Sequence, residues 1–79
     1  MKYAEVIDCK SLGIRADPTI TEYADDVVEV VKAGTVLIAD DSKVIFSWDD
    51  KAFFSVETPS GKKGYANVNC LKLGKGVKT

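Results

Sequence analysis

The chain has 79 residues, 46% hydrophobic and 29% charged, which is enough for one small globular domain. Lys and Arg number 11 against 12 Asp and Glu, so the net charge of −1 gives no overall attraction to nucleic acid. Histidine is absent, which removes the commonest general base, the histidine-dependent triads and most catalytic zinc sites.

β-Branched residues set the fold class. Val, Ile and Thr make up 20 of the 79 residues against four Leu, a balance that favours strands over helices. Residues 1–16 carry charges throughout and contain no apolar signal core, so the chain as written is expected in the cytoplasm. The longest apolar run, Val36–Ala39, is far shorter than the roughly 20 residues of a membrane span. Residues 3–9 read as a first strand, and Leu12 and Ile14 alternate with Gly13 and Arg15 in the next segment. Ala16–Asp26 is a polar loop, opened by Asp17-Pro18 with its lost donor and extended bias. The valines around Glu29, from Val27 to Val31, make a strand. Lys32–Thr35 is a turn in which Gly34 is free to take positive φ.

Val36–Ala39 is the next strand, Asp40–Lys43 a polar turn, Val44–Trp48 a further strand and Asp49–Lys51 another turn. In Ala52–Glu57, Phe54 and Val56 alternate with Ser55 and Glu57. Thr58–Lys63 is a hairpin loop, Gly64–Ala66 a short strand, and Val68–Leu71 a single 3₁₀ turn. Leu73 closes the domain at residues 1–73, and 74–79 is expected to be a disordered tail. Turns arriving about every 8–12 residues mark a small sandwich or barrel. The expectation is therefore an all-β domain of five to six short antiparallel strands closed into a barrel, since closure removes the long edges of an open sheet. Its expected core draws on Val6, Leu12, Ile14, Val31, Leu37, Phe54, Val56 and Leu71, with Cys9, Val28 and Tyr65.

Four segments, in order from about Val6 to Leu73, resemble the bacterial SH3 (SH3b) family. Leu12-Gly-Ile-Arg-Ala-Asp-Pro-Thr19 is similar to that family's Leu-Asn-Val-Arg-Ser-Gly-Pro-Ser signature. Val31-Lys-Ala-Gly-Thr35 resembles its Lys-Lys-Gly-Thr turn. Phe53-Phe-Ser-Val56 stands where the family has Trp-Tyr-Lys-Val. Thr58–Tyr65 resembles its Gly-Lys-x-Gly-Tyr hairpin, and Leu71 falls on the closing Tyr-Leu. Phe53 replaces the usual Trp, Asp17 the usual Gly, Ala66 the usual Val and Cys70 the usual Tyr; residues 40–52 are longer than usual. The resemblance implies an SH3-like barrel without chemistry of its own. Its relatives are thought to grip cell-wall peptides or protein segments, so a larger secreted protein containing this domain would be wall-associated.

The candidate ligand-binding residues are Tyr23, Trp48 and Phe53, with Asp25 and Asp49 setting the charge. Tyr23, Trp48, Phe53 and Tyr65 lie in or beside the loops, where flat rings offer an extended peptide large contact area at low entropy cost. Phe54 and Tyr65 fit the barrel interior better, and Trp48 would equally cover its open end. Residues 17–57 carry −7 and residues 58–79 carry +5. The acidic pairs would attract basic peptides, although aspartate also simply favours turns. No spacing fits an EF-hand loop, and a barrel this small lacks a cleft for opposed carboxylates, so neither metal nor catalysis is expected. Arg15 is expected to pair with a nearby carboxylate, such as Asp17, and not with a ligand. Cys9 and Cys70 read as two buried thiols, with a disulfide only if the chain ends come together. The expected function is a monomeric, non-enzymatic module, without cofactor, that binds a peptide or protein ligand, murein peptide included. Neither a nucleic-acid nor a membrane partner is expected. The alternative is a nucleic-acid-binding barrel using Lys62, Lys63, Lys72, Lys75 and Lys78.

Overall fold

Runs of β-branched residues broken by glycine, proline and aspartate commit the chain to strands joined by tight turns. A computed structural model describes residues 1–19, 26–47 and 49–77. It contains β1 (Lys2–Val6), β2 (Ser11–Arg15), β3 (Val27–Lys32), β4 (Val36–Phe46), β5 (Ala52–Glu57), β6 (Lys63–Asn67) and β7 (Leu71–Gly76), with a 3₁₀ turn at Val68–Cys70 before β7. The expected all-β, antiparallel architecture is present. The strands number seven rather than five or six, and they form one sheet in the order β3-β2-β6-β5-β4-β1-β7. The sheet is not closed into a barrel: β3 and β7 are its two edges.

Two differences from the expected elements have simple causes. Asp40–Lys43 does not end a strand. Asp40 pairs with Ser55 and Val44 with Phe54, so residues 41–43 bulge out of a single strand, β4. The Asp40 carboxylate accepts the Ser42 N–H at 3.1 Å and the Ser42 hydroxyl at 2.5 Å, a local turn housed within the ladder. The hairpin itself falls at Ser47–Lys51, where Asp50 takes φ of 62°. Residues 74–76, expected to belong to a disordered tail, continue β7 along β1, with Leu71 opposite Val6 and Gly76 opposite Lys2. Glycine and lysine carry little strand propensity. Here the second edge of β1 supplies the hydrogen-bond partners that their backbone takes up.

Burial follows the two-residue period. Ala4 and Val6 of β1, Leu12 and Ile14 of β2, Leu37 and Ala39 of β4, and Phe54 and Val56 of β5 converge with Val31, Ala66 and Leu71 in one core. Cys9 and Val28 pack against it only partly buried. Tyr65 is half-buried instead of central, because Gly64 and Ala66 take the inward positions of β6 and leave the ring on the other face. Gly34 in the β3–β4 turn takes φ of 88°, and its N–H donates to Val6 O at 2.9 Å. The neighbouring Ala33 N–H donates to Lys10 O at 3.1 Å, so this one turn holds the start of β2 and the end of β1 together.

Gly64 marks the tightest approach. A Cβ there would stand 2.7 Å from both Arg15 O and Ile14 Cγ2, whereas one at Gly74 would meet only Tyr3 O at 3.6 Å. Gly64→Ala should therefore destabilise the domain by about 1–3 kcal/mol through forced backbone displacement. Gly74→Ala should be neutral or stabilising by up to about 1 kcal/mol. Urea unfolding of the two variants checks this, and equal stability for both would refute the close crossing of β2 and β6.

Candidate functional site

The ladder between β2 and β6 is one residue pair long, Arg15 opposite Tyr65. On the β3 side, β2 is paired over its full length, from Ser11–Lys32 to Arg15–Val27. Away from Arg15 the strands β2 and β6 separate, and a groove of about 250 Å³ opens between them. Leu12, Gly13, Arg15 and Val27 line one wall. Phe53 and Asn67, which face each other across β5 and β6, line the opposite wall with Asp49 and Lys51 of the β4–β5 hairpin.

Of the expected ligand residues, Phe53 and Asp49 come together at this groove. Phe53 is only 5% exposed, so it acts as floor and not as a protruding ring. Tyr23, Asp25 and Trp48 lie outside the described residues. Leu12, Gly13, Arg15, Val27, Lys51 and Asn67 were not expected in a site. One signal for them was in the sequence: Phe53 and Phe54 are neighbours, so in a strand they point to opposite faces, and burying both requires apolar cover on each side. Sheet order, which decides that β2 and β3 supply this cover, has no such local signal.

Arg15 pairs with Asp26, not with Asp17. Its Nε donates to Asp26 Oδ1 at 3.0 Å, with both side chains largely buried. Asp17 is otherwise engaged: its carboxylate accepts the Thr19 N–H at 2.9 Å and the Thr19 hydroxyl at 2.5 Å. Its own N–H donates to Asp26 Oδ2 at 2.9 Å. Asp26 wins because it precedes Val27, the residue paired with Arg15 across the ladder. Burial pushes the Asp26 carboxyl up, but the Asp17 N–H and the Arg15 guanidinium outweigh it and hold the group below its ordinary value.

The hairpin rim is built the same way. The Ser47 hydroxyl donates to Asp49 Oδ1, and the Lys51 N–H donates to Ser47 Oγ at 3.1 Å. The Ser47 bond holds the Asp49 carboxyl below its usual range, with Lys51 Nζ 3.6 Å away adding to it. Arg15, Asp49 and Lys51 all line the groove, so it carries both signs of charge. Of the expected basic group, Lys62 and Lys63 lie at the β5–β6 hairpin and Lys72 and Lys75 on the edge strand β7, while Lys78 lies outside the described residues. A second, shallower depression of about 190 Å³ lies among Tyr3, Glu5, Val36, Lys72, Leu73 and Gly74 on the outer side of β1, β4 and β7.

A second tie joins β3 to the β5–β6 turn. Glu29 of β3 accepts the Thr58 hydroxyl at 2.8 Å and the Ser60 hydroxyl at 2.6 Å, fastening the edge strand to the β5–β6 hairpin. The Ser60 and Thr58 bonds hold the Glu29 carboxyl below its ordinary value. A carboxyl lowered in the folded state stabilises the fold above its unfolded pKa, and the contribution is lost as pH falls through the lowered value. The ordinary values are 3.8 for Asp26 and 4.5 for Glu29, so the stabilisation should be complete at neutral pH and decay below them. Urea midpoints should drop between about pH 6 and about pH 3, and the Asp26→Asn/Glu29→Gln double variant should narrow that gap. A gap unchanged by the double variant would locate the acid sensitivity elsewhere.

The chain matches no family model, no curated protein and no solved structure.

Proposed function

We propose that this chain is a non-enzymatic binding module that takes an extended peptide into the groove between β2 and the β5–β6 pair. The observation that carries this reading is the one-pair ladder at Arg15 and Tyr65. It leaves a gap between two strands, with an apolar lining of Leu12, Val27 and Phe53 and polar groups from Arg15, Asp49, Lys51 and Asn67. An extended segment suits such a gap, because strand edges offer backbone donors and acceptors while the apolar lining receives alternate side chains. The polar groups present both signs of charge and an amide. That fits a peptide bearing carboxylates and amines, as murein stem peptides and ordinary protein segments both do. The resemblance to bacterial SH3 domains supports the same class of ligand.

The test is selection from a library of extended peptides together with soluble murein fragments, read by amide chemical shifts and by the fluorescence of Trp48, the only tryptophan in the chain. Shifts should cluster at Gly13, Val27, Lys51, Phe53 and Asn67. Val27→Arg, which places a charge on the apolar wall, should weaken binding about tenfold, the worth of one buried valine side chain. Peptides that shift only Tyr3, Val36 and Leu73 would move the site to the outer depression. A salt-dependent response to an RNA probe, centred on Lys62 and Lys63, would replace the peptide reading with a nucleic-acid one.

A further inference from the structure

Away from the groove, the only two cysteines of the chain meet. β1 ends at Val6, opposite Leu71, and the next N–H, that of Ile7, donates to Cys70 O at 2.8 Å. Asp8 then takes φ of 58°, a left-handed conformation uncommon outside glycine, and turns the chain back on itself. This turn folds Cys9 back to the side of Cys70, close enough for the Cys9 side chain to act on the Cys70 thiol. Both residues are partly buried against the core, and both sulfurs are free thiols. Residues 61 positions apart in sequence are thus neighbours, each partly buried at the margin of the core.

We infer that Cys9 and Cys70 are a redox-modification site that closes to an intramolecular disulfide on exposure to a low-molecular-weight disulfide such as oxidised glutathione. The chemistry balances as two exchanges. One cysteine thiolate attacks a glutathione sulfur; the glutathione S–S bond breaks, a mixed disulfide forms and one glutathione thiolate leaves. The second cysteine thiolate attacks the protein sulfur of the mixed disulfide and expels the second glutathione. Two electrons pass from the cysteine pair to the glutathione disulfide, and the two thiol protons end on the released glutathiones. Burial pushes the Cys70 thiol up, with Cys9 and the Asp8 carboxylate adding to it, so Cys70 ionises reluctantly. Either thiolate can open the exchange, and the other completes it.

Closure would join the β1–β2 connection to the residue preceding β7, an edge strand whose only ladder is with β1. The loop enclosed spans most of the chain, so the bond would strongly restrict the unfolded ensemble. The experiment uses the full chain, folded, incubated with oxidised glutathione, quenched in acid and weighed intact. The expected product is a monomer lighter by the two thiol hydrogens, melting about 10 °C or more above the reduced form, with both changes reversed by reduced glutathione. Cys70→Ser should stop at a single glutathione adduct on Cys9. The inference is overturned by stable glutathione adducts on both cysteines of the unmodified chain, by a disulfide-linked dimer, by thiols that stay unreacted, or by a closed form that melts no higher.

Discussion

One residue pair, Arg15 opposite Tyr65, joins the β2–β3 hairpin to the remaining five strands. So short a ladder is held by what surrounds it. Gly64 lets the two backbones approach until no Cβ fits between them. Its lack of a side chain is a local weakness for a strand, yet it permits the contact on which the core depends. Ile14, fully buried, packs directly over Gly64, so the crossing is also a packing contact of the core. Side-chain bonds support it: Arg15 with Asp26 braces the β2–β3 hairpin itself, and Glu29 with Thr58 and Ser60 ties that hairpin to the β5–β6 turn. The groove follows from the same economy of pairing, since strands that meet at one point must diverge beyond it.

Three of the ten acids between residues 17 and 57 are engaged in their own turns. Asp17 accepts from Thr19, Asp40 from Ser42 and Asp49 from Ser47, each a hydroxyl two residues away. Asn67 accepts the Asn69 N–H in the same manner at the 3₁₀ turn. Such local bonds satisfy polar groups where the backbone changes direction and define each turn without a tertiary partner. They also fix the carboxylates as anions, because every hydroxyl or amide donor favours the charged form. A run of aspartates that reads as an electrostatic surface is thus first a set of turn-forming devices, and only the exposed oxygens left over face solvent.

The two edges of the sheet are managed differently. β3 presents Val30, 61% exposed, but its Glu29 is bonded to the β5–β6 hairpin and its end runs into the Gly34 turn. β7 is guarded by Lys72 and Lys75, charges that resist pairing with another chain. Where β7 begins, the closure inferred for Cys9 and Cys70 would fasten it covalently.

Local chemistry made much of this domain legible. Alternation located β2 and β5, clustered β-branched valines located β3, and Gly34 and Thr58–Lys63 announced their turns, because hydrophobic period and turn propensity act over a few residues. Most of the core was legible for the same reason. Tertiary structure alone decided that β4 runs unbroken past Asp40–Lys43, that Gly74–Gly76 join a sheet, and that Arg15 chooses Asp26. Each depends on an edge or partner supplied by a distant segment, and no local pattern encodes it. The site divides along the same line. Phe53 and Asp49 stood out as an aromatic and an acid beside a turn, while Leu12, Gly13 and Val27 entered only because sheet order sets β2 beside β6. The two cysteines show the division most plainly: their chemistry was written in the sequence, and their contact came from β1 and β7 pairing across nearly the whole chain.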